Sequence, residues 1–208
     1  MRLLYHPASP NARSVRMTAA ILEIELEDCI VDVAADAQHQ PAYLALNPNG
    51  LFPTLVDGNF ILWETMAIMN YLASQRPESQ IFPALDSRSQ ADILRWQSWN
   101  LEHWSPALRV FVFQNIFKKW KGLGEPDVEE IRRGESAYHR LAAILDQHLE
   151  GRSWLVGNGL TLADISVSSY LMYSEQARIP LDPYQHLRRW FGQIQSEPAW
   201  LATRPSTH

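Results

Sequence analysis

Glu64 and Thr65 are the pair of side chains in this sequence best suited, by type and placement, to hold a small charged molecule. They follow the apolar run Phe60 to Trp63 and precede a stretch in which Ala67, Ile68, Tyr71 and Leu72 recur one helical turn apart, so they stand where a helix begins. The first N–H groups of a helix lack intrahelical partners, and the macrodipole favours negative charge there. The Thr65 hydroxyl and main-chain N–H could hold a carboxylate while Glu64 takes a neighbouring ammonium, which suits the zwitterionic end of an amino acid. The alternative reading makes Thr65 a plain N-cap and Glu64 a solvated residue. Phe52-Pro53 adds a second feature, because it lies just before a β-favouring run. A cis peptide there would turn an unpaired backbone edge outward, where an extended peptide could pair with the Phe52 main chain.

Several elements must position these residues. Thr54 to Val56 reads as a strand, Asp57-Gly58 as a hairpin turn and Phe60 to Trp63 as the returning strand. Upstream, Leu3 to Tyr5 makes a first strand, Ala12, Val15, Ala19 and Leu22 mark one face of a first helix, and Cys29 to Val33 makes a second strand. Gln40 to Leu46 is a short helix or an irregular connection. The resulting order, β-α-β then β-β-α, is the thioredoxin-like α/β arrangement. Arg76 to Asp86 carries two prolines and no sustained period, as a linker does. Everything beyond it reads as helical: an aromatic helix from about Ser87 to Trp120 with a bend near Pro106, a second over Val128 to Leu149, and a third opening at Thr161 with Asp164 in a capping box. The expected organisation is an α/β domain over residues 1–77, a linker over 78–86 and an all-α domain over 87–208.

The stretch Asn47 to Ala73 resembles the glutathione-binding half of the glutathione S-transferase family, in the pattern Asn-Pro-x-Gly-x-x-Pro-x-Leu, then Glu-Ser/Thr, then Ala-Ile-x-x-Tyr-Leu. Thr65 stands where serine is more frequent and keeps the hydroxyl. The segment opening at Thr161 and the run Tyr184 to Trp200 are similar to parts of the family's helical domain, so the resemblance covers nearly the whole chain. It implies a cis Pro53, pairing of Phe52 with the cysteinyl main chain of glutathione, and Glu64 and Thr65 on the γ-glutamyl group. His39 and Gln40 stand at positions that resemble those reaching the glycyl carboxylate in theta-like members, with solvated loop residues as the alternative. The cytosolic transferase architecture and a homodimer are implied as well.

The chemistry that the resemblance implies turns on a thiol whose ordinary pKa of about 8.5 leaves only a few per cent thiolate at neutral pH. A donor near a helix start would favour the anion. The loop His6 to Asn11 is similar to that of theta-like and related bacterial transferases that use a serine hydroxyl, with Ser9 four residues before Arg13. Ser9 leads, Asn11 is the second candidate, and Tyr5 and His6 follow. Ser9 before Pro10 is also a plain N-cap, but a capping hydroxyl accepts through oxygen and keeps its proton to give. The electrophile site is expected between this loop and the aromatic helix, with Trp104, Arg109, Phe111 and Phe113 as lining or, alternatively, as core. The expected reaction is attack of glutathione thiolate on a hydrophobic electrophile. A glutathione-dependent isomerase or peroxidase, or a non-catalytic partner-binding relative, are the alternatives.

Composition narrows the remaining classes. Eighteen basic against 23 acidic residues give a net charge of −5 without a basic block, which argues against a nucleic-acid partner. Cys29 is the single cysteine, so no internal disulfide, Cys-x-x-Cys motif or multi-thiolate metal site can form, and it reads as a buried strand thiol. No metal or nucleotide cofactor is expected beside glutathione. The apolar fraction of 46% supplies real cores, yet no run approaches the ~20 residues of a membrane span. With no signal-peptide pattern at the start, a cytoplasmic location is the expectation.

Overall fold

The computed structural model describes residues 1–83 and 86–205. Ala84 and Leu85 of the expected linker, and Ser206, Thr207 and His208 of the expected second domain, lie outside the described residues. The described parts of Met1–Leu85 and Glu197–His208 form one unit, and Asp86–Ser196 forms another.

The first unit holds β1 (Arg2–Tyr5), α1 (Pro10–Ile21), β2 (Glu27–Ile30), α2 (Pro41–Leu44), β3 (Thr54–Asp57), β4 (Phe60–Trp63) and α3 (Thr65–Ser74). Its sheet runs in the order β2-β1-β3-β4, with β1 parallel to β2 and antiparallel to β3, the thioredoxin-like arrangement. The β3–β4 hairpin turns through Gly58 at φ 58°, a conformation open to glycine because it has no Cβ. The α1 positions expected to share a face, Ala12, Val15, Ala19 and then Leu22, are all buried, as are Leu3 and Leu55 of the sheet and Ile68, Met69 and Leu72 of α3. Each large apolar side chain so buried contributes roughly 1.5–3 kcal/mol. The second strand ends at Ile30, earlier than the expected Val33, because the Asp32 carboxylate takes the N–H groups of Ala34 and Ala35 at 3.0 and 3.1 Å and turns the chain. Cys29, expected to be buried, is half-buried on this edge strand.

The second unit is helical. From Ser87 to Trp120 the chain passes through α4 (Ser87–Trp99), α5 (Ser105–Val112) and α6 (Lys118–Trp120), joined by π turns at Asn100–Trp104 and Phe113–Phe117. Just before Pro106, where a bend is expected, lies the first π turn, in which Ser105 N–H reaches back five residues to the Asn100 carbonyl. Proline has no N–H to continue the α pattern, and the wider turn accommodates its ring. α7 (Val128–His148) packs against α5 where Gly134 meets Val110; a Cβ on Gly134 would lie 2.9 Å from the valine Cγ1. α8 (Leu162–Ser168) opens with the capping box of Thr161 and Asp164. The Asp164 carboxylate also takes N–H groups from Leu155 and, on α9 (Gln185–Ser196), from the Trp190 indole, both at 2.9 Å. Burial pushes this carboxyl up while those donors favour its anion. The segment after Glu197, which the sequence groups with the helical half, carries α10 (Pro198–Ala202) and packs on α1 of the first unit. Among the described residues, no helix is long and apolar enough to cross a membrane.

Candidate functional site

Strand register gathers the site. Leu4 pairs with Thr54, and Thr54 pairs with Trp63, so three chain segments meet at one end of the sheet. They are the loop after β1 with His6 to Ser9, the Phe52-Pro53 step before β3, and Glu64-Thr65 after β4. Both α1 and α3 start at this end, which brings two helix N-termini, with their unpaired N–H groups and positive dipole ends, to the same place.

Ser9 is the N-cap of α1. Its Oγ accepts from Ala12 N–H at 3.2 Å and its carbonyl accepts from Arg13 N–H at 3.0 Å. Neither bond uses the serine proton. Asn11 sits half-buried in the first turn. Tyr5 is committed elsewhere, since its hydroxyl donates to Asp28 at 2.9 Å and burial pushes its pKa up to about 12. His6 closes the loop: its Nδ1 accepts from Ala8 N–H at 3.2 Å, which places the ring proton on Nε2, and its ring lies 5.8 Å from that of Phe52. Burial lowers its pKa, so it is neutral at neutral pH.

The Phe52-Pro53 bond is cis, as the family resemblance implied. The loop leading into it is fixed from inside by Tyr43, Asn47 and Thr54, none of which the sequence marks as a site residue. Leu51 carbonyl accepts from both Tyr43 OH at 2.6 Å and Asn47 Nδ2 at 2.8 Å, and Thr54 Oγ1 lies 3.1 Å from each of the same two groups. Asn47 is visible in the sequence as part of the Asn-Pro-x-Gly run, but nothing local links it to Tyr43 or Thr54. Phe52 itself is half-buried, and the carbonyl of the residue before it is held by Tyr43 and Asn47.

Glu64 occupies the N-cap position of α3 without making a side-chain cap bond, and Thr65 is the first helical residue. The plain-cap alternative for Thr65 therefore does not apply. Glu64 adopts φ 74° and ψ 118°, a region in which a side chain is strained and glycine is not. Its carboxylate is exposed.

His39 and Gln40 are both exposed and lie near the same loop. His39 packs on Gly50, where a Cβ would come 2.7 Å from the imidazole Cδ2. Its Nδ1 is 2.6 Å from Asp36 Oδ1. Gln40 precedes α2 and its amide leans back to the Asp36 carbonyl at 3.5 Å, a weak bond that leaves it adaptable.

In the helical unit the expected lining residues separate. Trp104 is fully buried, stacked against Tyr138 with ring centroids 5.5 Å apart, and its indole N–H donates to Val167 carbonyl at 3.0 Å. Phe111 is buried edge-on against the same tyrosine. Both are core residues: spacing along an aromatic helix cannot distinguish an inward face from a lining one. Arg109 is exposed and Phe113, which opens the second π turn, is half-buried.

Comparison with known proteins agrees across the chain. Residues 1–74 match the family model for the glutathione S-transferase N-terminal domain, and residues 103–198 match that for the C-terminal domain. Glutathione S-transferase 3 of Zea mays is 30% identical over 211 residues, spanning 98% of this chain and 92% of the maize protein. Among solved structures, glutathione transferase F7 from Populus trichocarpa matches with a TM-score of 0.92 at 24% identity, over 97% of this chain and 96% of its own. Glutathione transferase URE2P8 from Phanerochaete chrysosporium, solved with oxidized glutathione, matches with a TM-score of 0.86 at 25% identity, over 97% and 92%.

Proposed function

Since the chain belongs to the glutathione S-transferase family, we propose that it holds glutathione at the sheet end described above, activates it as the thiolate and directs it at a hydrophobic electrophile. Glu64 takes the γ-glutamyl ammonium, and the Thr65 hydroxyl and N–H take the adjacent carboxylate. The Phe52 main chain pairs with the cysteinyl residue, next to Pro53. His39 and Gln40 reach the glycyl carboxylate. The one observation that carries this reading is the conformation of Glu64. Holding a non-glycine residue at φ 74° costs on the order of 1–3 kcal/mol, and among the described residues the exposed side chain makes no cap bond to its helix in return. A ligand ammonium supplies the missing partner.

Ser9 then gives its hydroxyl proton to the sulfur as a hydrogen bond while its oxygen goes on capping α1. Lowering the thiol pKa by about two units requires roughly 2.7 kcal/mol of preference for the anion. A hydrogen bond to a charge contributes about 1.5–3 kcal/mol and a helix N-terminus about 0.3–1 kcal/mol, so the two together suffice. Asn11, in the first turn of the same helix, is the second candidate donor. The thiolate attacks the electrophilic carbon, a C–S bond forms, and the leaving group departs with its electron pair; at an activated double bond the neighbouring carbon instead takes a proton. Arg109 and Phe113 are the remaining candidates for contact with the electrophile. A homodimer is proposed as well, and the exposed Phe60 and Trp63 of edge strand β4 and Leu94 and Leu101 in and just beyond α4 supply apolar surface for it.

Calorimetric titration tests the binding reading. Glutathione is expected to bind at one site per chain, and cysteinylglycine, which lacks the γ-glutamyl end, at least about tenfold more weakly. No heat of binding at millimolar glutathione, or equal affinity for the two peptides, would contradict it.

A further inference from the structure

The C-terminal segment is fastened to the helix that carries Ser9, and the fastening is Arg13. This side chain is only 5% exposed. Its guanidinium carbon lies 3.5 Å from the centroid of the Trp200 ring, Nη2 donates to the Trp200 carbonyl at 2.8 Å, and Nε reaches Thr203 Oγ1 at 3.5 Å. Thr203 is held in turn, since its hydroxyl donates to Ala199 carbonyl at 2.7 Å. Trp200 and Thr203 are themselves buried. A planar cation laid on an indole face with its fork on a helix-end carbonyl is a directional contact that a lysine cannot reproduce.

The position of Arg13 gives the contact its meaning. Its backbone N–H donates to the Ser9 carbonyl, so the residue anchored by α10 closes the first turn of α1 on the very residue whose hydroxyl must be aimed. Helix ends fray, and a hydrogen-bond donor loses its effect when displaced by a fraction of an ångström. We infer that Arg13, Trp200 and Thr203 are positioning residues for catalysis: residues 187 to 190 positions beyond Arg13 in sequence hold the Ser9 turn rigid, and with it the thiolate donor. This rests on Ser9 being that donor.

The test uses the full chain with bound glutathione and reads the thiolate by its ultraviolet absorbance as pH is varied, alongside calorimetric Kd. In Arg13→Lys, which keeps the charge, and in Trp200→Ala, the thiol pKa of bound glutathione is expected to rise by about one unit, tenfold less thiolate well below that pKa, with Kd within about twofold of the unaltered enzyme. Trp200→Phe, which restores an aromatic face, is expected to recover most of the shift. In a Ser9→Ala background none of these changes should raise the pKa further. If Ser9→Ala raises the pKa while Arg13→Lys leaves it unchanged and only lowers thermal stability, the clamp is packing alone and the inference falls. If Ser9→Ala itself leaves the pKa unchanged, Ser9 is not the donor and both readings fall.

Discussion

Replacing Glu64 with glycine should make the protein more stable and weaken its binding of glutathione. The backbone at Glu64 sits at φ 74° and ψ 118°, where a Cβ is strained by about 1–3 kcal/mol. Glycine adopts that conformation freely but adds roughly 0.5–1 kcal/mol of chain entropy to the unfolded state. The carboxylate makes no cap bond that the substitution would lose. The balance is a gain of about 1 kcal/mol, or roughly 2–4 °C in the unfolding midpoint of a chain this size. Against this, removing the partner of the ligand ammonium costs about 1.5–3 kcal/mol of binding, a weakening of roughly ten- to a hundredfold. Glu64→Ala provides the control, since it retains the strain and should lose affinity without gaining stability. Thermal unfolding without ligand and calorimetry with glutathione read the two effects separately. A Glu64→Gly protein that binds glutathione normally would show that Glu64 is not the ammonium partner, and one that unfolds at a lower temperature than Glu64→Ala would show that the backbone there is not strained.

Asn47→Ala removes the buried bonds to Leu51 carbonyl and Thr54, about 2 kcal/mol together, and by loosening the Phe52 backbone should weaken glutathione binding about tenfold; lost stability with unchanged affinity would separate the loop from the ligand. Trp104→Phe leaves the Val167 carbonyl without its indole donor and should cost about 1–3 kcal/mol of stability with no change in electrophile preference, whereas a changed preference at full stability would make Trp104 a pocket residue. Burial lowers the pKa of both His6 and His148, so on acidification the unfolded chain takes up these protons first. Their stabilising contribution is present above about pH 6.5 and is lost as pH falls through the lower folded values; a variant with both replaced by glutamine should show a flatter unfolding midpoint across that window, and an equal slope would contradict the assignment.

What the sequence displayed was chiefly what is local. The turn at Asp57-Gly58, the Ser9-Pro10 helix start, the Thr161–Asp164 box and the change of period after Trp63 each depend on neighbours within a few residues, and they were enough for the thioredoxin-like unit and the helical one. What was hidden depends on distance along the chain. Tyr43, Asn47 and Thr54 meet only once the loop has folded, and Arg13 meets Trp200 only once the C-terminal segment has returned to the first unit. The strained φ of Glu64 carries no compositional mark at all. Trp104 shows a different limit: an aromatic residue on a helix full of aromatic residues gives no sign of which side it faces, and a fixed hydrogen bond to Val167 decides it. Likewise Pro106 signalled a disturbance of the helix but not that a π turn would absorb it.

This chain is proposed to hold bound glutathione as its thiolate. The direct measurement is the pH titration of thiolate absorbance in the glutathione complex of the unaltered protein. The expected midpoint lies about two units below the ~8.5 of a free thiol. A midpoint at the free value, with glutathione bound, would contradict it.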